Sequence, residues 1–94
     1  MLQSVSIIVE GLVQGVFYRQ TTKAKAIETG ITGMVKNKRD GSVQIIATGT
    51  EAQLEQLIQW CNQGPERAIV TGVKVEKIPL QRFKDFDIVR GEPR

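Results

Sequence analysis

Two glycines and an arginine lie in the segment Gly11–Arg19, between a run of β-forming residues and the start of a helical pattern. A strand, a glycine-containing turn and a helix N-terminus direct backbone N–H groups toward one point, where the helix dipole also favours negative charge. Arg19 adds a planar guanidinium whose fork of donors matches a phosphate or a carboxylate. The segment therefore predicts an anion-binding loop. The alternative is an ordinary βα turn with a surface arginine, because such turns are common and this one has neither the Walker nor the dinucleotide spacing.

The composition limits the chemistry that is available to the chain. Its 94 residues, 40% of them hydrophobic, predict a single domain over residues 1–94. There is no histidine and Cys61 is the one cysteine, so a Cys/His zinc site or a Ser–His or Cys–His pair is not possible. Acid–base chemistry must then come from carboxylates, lysines, the substrate or water, and we expect neither a metal nor a cofactor. The N-terminal residues lack a signal-peptide pattern and no apolar run approaches ~20 residues, so we expect a cytoplasmic protein that does not enter a membrane.

The net charge of +3 is spread along the sequence and does not form a block. Such a charge can steer a small anion toward a site, and it is also compatible with nucleic-acid binding. The basic tract Lys36–Arg39 is of the kind that usually forms a solvated turn. We expect a small monomer that binds an anionic small molecule.

The hydrophobic pattern predicts four or five strands. Ser4–Glu10 alternates, which places Val5, Ile7 and Val9 on one face of the first strand. Asp40–Gly41 predicts a tight turn between the second and third strands. The remaining strands are predicted at Ile31–Asn37, Ser42–Thr48, Ile69–Ile78 and, as a short option, Phe86–Val89; residues 91–94 are expected to be a frayed tail.

A first helix is predicted over Tyr18–Thr29, and Gly30 is a natural stop. Its apolar positions at helical spacing are Phe17, Thr21, Ala24 and Ile27. We expect the side chains of Phe17 and Tyr18 to pack in the protein and not to contact a ligand.

A second helix begins at Thr50, where Thr50 and Gln53 fit a capping box, and ends at Gly64–Pro65. Leu54, Leu57, Ile58 and Cys61 share one face of this helix, so we expect Cys61 to be a buried, unreactive thiol.

The element order βαββαβ, with an optional last strand, predicts an α+β protein. It is typical of a ferredoxin-like α/β sandwich with an antiparallel sheet of four to five strands and two helices on one face. Right-handed crossovers make strands one and two parallel, with strand three between them. Arg19 follows strand one and Asn37 ends strand two, so we expect both residues to face one site at the carboxyl ends of these strands.

Two segments of the chain resemble the acylphosphatase family. One is Gly11-x-Val13-Gln14-Gly15-Val16-x-Tyr18-Arg19, and the other is Gly33-Met34-Val35-Lys36-Asn37-x-x-x-Gly41-x-Val43. The resemblance extends over nearly the whole chain and includes Gly64–Pro65. The chain departs from the family pattern at Met34, where an aromatic residue is usual, and at Gln44, where a glutamate is frequent.

The resemblance implies hydrolysis of the carboxyl–phosphate bond of acyl phosphates, with a carboxylate and inorganic phosphate as products. Arg19 would hold the phosphate and Asn37 would orient the attacking water, as the catalytic pair. The phosphate-binding residues that it implies are Gln14, Gly15, Val16, Phe17, Tyr18 and Arg19. The family suggests acetyl phosphate, carbamoyl phosphate and 1,3-bisphosphoglycerate as candidate substrates.

Two alternatives belong to other functional classes. The same element order serves RNA-recognition modules, but these stack bases on aromatic residues of the central strands, and Ser4–Glu10 and Ser42–Thr48 contain none. We therefore expect no nucleic-acid partner. A non-catalytic anion-binding module is less well supported, because Arg19 and Asn37 are both present. For Asn37 on its own, a role as a turn residue remains an alternative.

Overall fold

A computed structural model describes residues 1–90 of the chain. Its elements are β1 (Gln3–Leu12), α1 (Tyr18–Thr29), β2 (Thr32–Asn37), β3 (Val43–Gly49), α2 (Glu51–Gln63), β4 (Ile69–Ile78) and β5 (Phe86–Ile88). The predicted elements are confirmed, with ends that differ by up to two residues. The prediction of a frayed tail concerns residues 91–94, which lie outside the described part.

The five strands form one sheet in the order β4-β1-β3-β2-β5. The β1–β3, β1–β4 and β2–β3 pairs are antiparallel, which makes β1 and β2 parallel to each other with β3 between them, as predicted. The short β5 pairs with β2 in parallel, so the sheet is mixed and the expectation of an antiparallel sheet was wrong at this edge. Because β1, β2 and β5 run in the same direction, their carboxyl ends meet at one edge of the sheet.

Alternation along the central strands defines the buried face of the sheet. Val5 pairs with Ala47, Ile7 with Ile45 and Val9 with Val43, and all six side chains are buried. Both helices contribute to the same core, as expected for two helices on one face. The buried core contains Val5, Ile7, Val9, Val13, Val16, Tyr18, Ala26, Ile31, Val35, Val43, Ile45, Ala47, Leu54, Leu57, Cys61 and Phe86.

A bulge extends β1 beyond its predicted end at Glu10. The pairing of β1 with β4 shifts register between Glu10 and Gly11, and the strand then continues to Leu12. Gly11 has a φ of 125°, and a Cβ atom at this position would collide with the carbonyl oxygen of Ile69. Only glycine therefore fits at this position. The bulge bends the strand and so changes the direction in which β1 enters the loop before α1.

The buried face of α1 differs from the predicted one. The side chains of Phe17 and Ile27 are 67% and 60% exposed, whereas Tyr18, Thr22 and Ala26 are buried. The helix is thus rotated by about one residue relative to the apolar stripe. Short side chains at Thr22 and Ala26 allow α1 to pack closely on the sheet. The Thr22 hydroxyl donates to the Tyr18 carbonyl at 2.7 Å, so this buried polar group has a hydrogen-bond partner.

Tyr18 fixes the start of α1 against the end of α2. Its hydroxyl donates to the Cys61 carbonyl at 2.8 Å, and its ring lies 5.3 Å from the Trp60 ring, centroid to centroid. Burial, reinforced by the neighbouring Cys61 thiol, raises the pKa of Tyr18. Burial likewise raises the pKa of the Cys61 thiol to about 12, which agrees with the predicted unreactive cysteine.

The rotation of α1 can be tested with two aliphatic truncations. Leu57→Ala removes a fully buried side chain, and we expect it to lower the free energy of unfolding by about 2–5 kcal/mol. Ile27→Ala removes an exposed side chain and replaces it with a better helix former, so we expect a change within about 0.5 kcal/mol. Urea unfolding measures both. If Ile27→Ala lowered the free energy of unfolding nearly as much as Leu57→Ala, the predicted apolar face of α1, which contains Ile27, would be packed against the protein.

Tyr18→Phe tests the buried hydroxyl. We expect it to cost about 0.5–1.5 kcal/mol at pH 7, because the Cys61 carbonyl loses its donor. The folded protein keeps protons on Tyr18 and Cys61 that the unfolded chain releases above the ordinary pKa values of these groups, 10.0 and 9.0, so stability falls as the pH rises through this range. The variant should show a shallower alkaline loss in urea titrations at several pH values. An identical pH profile for both proteins would contradict the burial of this hydroxyl.

Candidate active site

A cavity of about 230 Å³ lies at the edge of the sheet where β1, β2 and β5 end. Arg19 and Asn37 both line it, so the structure brings together the two residues that the strand order predicted to share a site. Its lining consists of Val13, Gly15, Phe17, Tyr18, Arg19, Gln20, Asn37, Ile88 and Arg90.

The loop between β1 and α1 contains two residues in the left-handed conformation. Gly15 has a φ of 75° with open space around the position that a Cβ would take, so glycine is favoured here by its backbone alone. Phe17 has a φ of 64° and is the one non-glycine residue with a positive φ among residues 1–90. A bulky residue held in this conformation costs of order 1–2 kcal/mol, and such strain clusters at functional sites.

The N-terminus of α1 lacks the capping that α2 has. At α2, the Thr50 hydroxyl accepts from the Gln53 N–H and the Gln53 side chain accepts from the Thr50 N–H, which confirms the predicted capping box. Phe17, the N-cap of α1, provides no side-chain hydrogen bond, and the first turn contains no acidic residue. Thr21 is the first residue of this helix whose N–H has a backbone acceptor, at Phe17. The preceding amides are therefore available to an anion in the cavity.

Within residues 1–90, the charged side chains that line the cavity are both positive. They are Arg19 and Arg90, and no described Asp or Glu lines it. Within residues 1–90, neither guanidinium takes part in an ion pair or in a hydrogen bond of its side chain. Two guanidiniums and a helix N-terminus, with no counter-charge among the described lining residues, produce a positive potential, which favours a compact anion with several acceptor oxygens.

Asn37 places a polar acceptor in the wall of this cavity. Its Oδ1 is buried and has no hydrogen-bond partner among the described residues. The hairpin that follows is closed by the Lys38 N–H, which donates to the Ser42 carbonyl, and by Asp40, whose Oδ1 accepts from the Ser42 N–H and hydroxyl. These Ser42 hydrogen bonds also hold the pKa of the Asp40 carboxyl below its usual range. The turn therefore does not use the Asn37 side chain, and a buried acceptor without a partner is a typical feature of a functional site.

Two of the predicted phosphate-binding residues are absent from the cavity lining. Val16 is buried in the core. The Gln14 side chain points to the β2–β3 turn, where its Nε2 donates to the carbonyls of Lys38 at 2.7 Å and Ser42 at 2.8 Å. Gly15, Phe17, Tyr18 and Arg19 line the cavity, and their binding of phosphate stays a prediction. The Phe17 side chain is exposed there, so the expectation that it packs in the protein was wrong.

Sequence reasoning missed four lining residues: Val13, Gln20, Ile88 and Arg90. Ile88 is the last residue of β5, which the sequence indicated only as an optional strand, and Arg90 lies two residues beyond it. The parallel pairing of β5 with β2, Gly33 opposite Phe86 and Val35 opposite Ile88, brings these two residues to the edge where Asn37 lies. That pairing has no signal in the sequence.

Neither a metal-binding cluster nor a membrane-spanning helix is found among the described residues. Residues 1–90 contain no group of three or more His, Cys, Asp or Glu side chains that could hold a metal ion. None of their helices is long and apolar enough to cross a membrane.

Comparison with known proteins identifies the family. The model of the acylphosphatase family matches residues 5–88. An acylphosphatase of Marinobacter nauticus is 49% identical over 81 residues, which are 85% of this chain and 88% of that protein.

Among solved structures, the acylphosphatase of Bacillus subtilis superimposes with a TM-score of 0.91 at 35% identity, covering 96% of this chain and 100% of that one. The acylphosphatase of Coxiella burnetii gives the same TM-score and identity, with 94% and 93% covered. Sequence and fold thus agree along nearly the whole length, and the ferredoxin-like fold is confirmed. The chain belongs to the acylphosphatase family, whose members are enzymes that hydrolyse acyl phosphates to a carboxylate and inorganic phosphate.

Proposed function

We propose that Arg19 and the loop amides hold the phosphoryl group of the substrate while Asn37 positions the attacking water. The observation that supports this division of roles is the shared cavity: a guanidinium and an uncapped helix N-terminus lie in it together with a buried amide oxygen that lacks a protein partner. The guanidinium and the N–H groups are donors suited to phosphate oxygens, whereas the Asn37 oxygen is an acceptor suited to water.

The chemistry requires little beyond positioning and charge. Water attacks phosphorus in line with the bond to the acyl oxygen, that bond breaks, and its electron pair leaves with the carboxylate. A carboxylate is a good leaving group, so a general acid is not needed. Phosphoryl transfer of this kind is accelerated mainly by alignment and by donors that complement the charge on the equatorial oxygens.

The proton of the attacking water goes to the phosphoryl oxygens. Among residues 1–90, no carboxylate, imidazole or thiol lines the cavity, and the raised pKa of Tyr18 keeps that hydroxyl protonated. Asn37 accepts a hydrogen bond through Oδ1 and donates through Nδ2, but a carboxamide is not a base. Its contribution is the orientation of the water, because it fixes the nucleophile at one distance and angle from phosphorus.

The phosphate cradle consists of the backbone amides of Gly15 and of residues 17–20, together with the Arg19 side chain. The lining by Gly15, Phe17, Tyr18 and Arg19 supports this part of the proposal. For Gln14 and Val16, phosphate binding stays a prediction that the cavity lining does not support. At about 230 Å³ the cavity is smaller than the ~300–1,000 Å³ of sites for drug-sized ligands, which favours acyl phosphates with a short acyl group.

Several sequence expectations stay predictions. They are a single domain over residues 1–94, a monomer, a cytoplasmic location, the absence of a nucleic-acid partner, and catalysis without a metal or cofactor. The last of these is tested by running every assay below with a chelator present.

Arg19→Ala tests the phosphate ligand. We expect kcat/KM for benzoyl phosphate to fall on the order of 10²–10³-fold, because the fork of donors is lost. We also expect the variant to lose most of the stabilisation by inorganic phosphate, which for the wild type reaches about 2.7 kcal/mol at a hundred times Kd. Arg67→Ala, which removes an exposed arginine outside the cavity, is the matched control. Turnover near the wild-type level in Arg19→Ala would overturn the assignment.

Asn37→Ala tests the positioning of water. We expect kcat to fall on the order of 10²–10³-fold while inorganic phosphate still raises the thermal unfolding midpoint as in the wild type. Asn62→Ala removes an exposed asparagine on α2 and should change neither quantity. If Asn37→Ala lost phosphate binding together with turnover, the residue would have a structural role in the cavity and not a catalytic one.

A further inference from the structure

The side chain of Gln14 joins the two segments that form the active site. Its Nε2 donates to the carbonyl oxygens of Lys38 at 2.7 Å and of Ser42 at 2.8 Å, so both amide hydrogens are used. Gln14 lies in the loop between β1 and α1, flanked by Val13 and Gly15, which line the cavity. Lys38 directly follows Asn37. A single carboxamide therefore links the loop of residues 13–17, the proposed phosphate loop, to the residue next to Asn37, which is proposed to position the water.

The turn that Gln14 contacts is also closed by hydrogen bonds of its own. The Ser42 carbonyl also accepts from the Lys38 N–H at 2.8 Å, and the Lys38 carbonyl also accepts from the Gly41 N–H at 3.1 Å. Asp40 accepts from the Ser42 N–H at 3.0 Å and from its hydroxyl at 2.6 Å. Gln14 thus contacts both ends of a loop that is closed by its own hydrogen bonds. Holding this loop in place relative to the loop between β1 and α1 also holds the end of β2.

We propose that Gln14 is a positioning residue, which sets the distance between the phosphate cradle and Asn37 through its two hydrogen bonds to the β2–β3 turn. This inference rests on the roles proposed above for Arg19 and Asn37. It differs from the sequence-based expectation that Gln14 binds phosphate. The side chain instead determines where the water is held relative to phosphorus, a distance to which in-line attack is sensitive.

Glutamine has the properties that this position requires. Asparagine is one methylene shorter, and glutamate has nearly the same shape but only acceptor oxygens. In Gln14→Glu, a carboxylate would face the two carbonyl oxygens, so that two attractive contacts become repulsive. Gln14→Met keeps the length of the side chain and removes the donors without adding charge. Both carbonyls would retain their backbone partners in either variant, which favours folding.

The test combines kinetics with phosphate binding. For Gln14→Glu we expect kcat with benzoyl phosphate to fall on the order of 10²-fold, the loss typical of a misplacement of about 1 Å. Gln14→Met should show a smaller loss in the same direction. Stabilisation of the folded protein by inorganic phosphate should be nearly unchanged in both. Gln44→Glu makes the same chemical change on β3, where the side chain donates to Ser6 outside the cavity, and should retain full activity.

A double-mutant cycle separates this proposal from the catalytic assignment. If Gln14 acts through Asn37, Gln14→Glu should lower kcat no more than about twofold in the Asn37→Ala background. Equal losses in both backgrounds would overturn the positioning role while leaving the role of Asn37 intact. Loss of phosphate binding in Gln14→Glu and Gln14→Met would also overturn it, because Gln14 would then support the cradle itself. An unimpaired Asn37→Ala single variant would instead refute the catalytic assignment on which the proposal rests.

Discussion

The insertion of β3 between β1 and β2 is the constraint on which the active site depends. Because β3 is antiparallel to both neighbours, β1 and β2 run in the same direction and finish at the same edge of the sheet. The phosphate loop follows β1 and Asn37 is the last residue of β2. Two segments that are distant in sequence therefore meet without a long loop. The core on the helical face holds this arrangement, since the pairs Val5–Ala47, Ile7–Ile45 and Val9–Val43 keep the strands in register.

The N-termini of the two helices differ in their capping. Thr50 and Gln53 satisfy the first amides of α2, so this N-terminus is complete within the protein. The first turn of α1 has no cap and carries Arg19, whose charge opposes the helix dipole by some tenths of a kcal/mol to about 1 kcal/mol. Tyr18 offsets part of this cost with a buried ring and a hydrogen bond to α2. An anion bound at the N-terminus of α1 would interact favourably both with the helix dipole and with the Arg19 guanidinium.

The sequence predicted the strand order and the joining of Arg19 and Asn37 well, because alternation along β1 and β3 and the turn at Asp40–Gly41 are local signals. The sequence did not predict which of two adjacent aromatic residues is buried in the core. Phe17 and Tyr18 are adjacent aromatics that each begin a helical stripe, and only the close packing of α1 on the sheet selects Tyr18. Arg90 reaches the cavity through the pairing of a three-residue strand, which leaves no periodic pattern to recognise.

The cavity also indicates which interactions can raise the rate. In the proposed arrangement, Arg19 and the loop amides contact phosphoryl oxygens that are present in the substrate, in the transition state and in the inorganic phosphate product. Whatever part of that binding is equally strong in all three lowers KM without raising kcat, and it slows the release of phosphate. The alignment of the water differs, because it matters only as the new bond forms. With no general base among the described lining residues, turnover in the proposed mechanism depends most on how firmly the end of β2 is held relative to the phosphate loop. The hydrogen bonds of Gln14 join these two parts of the chain at that point.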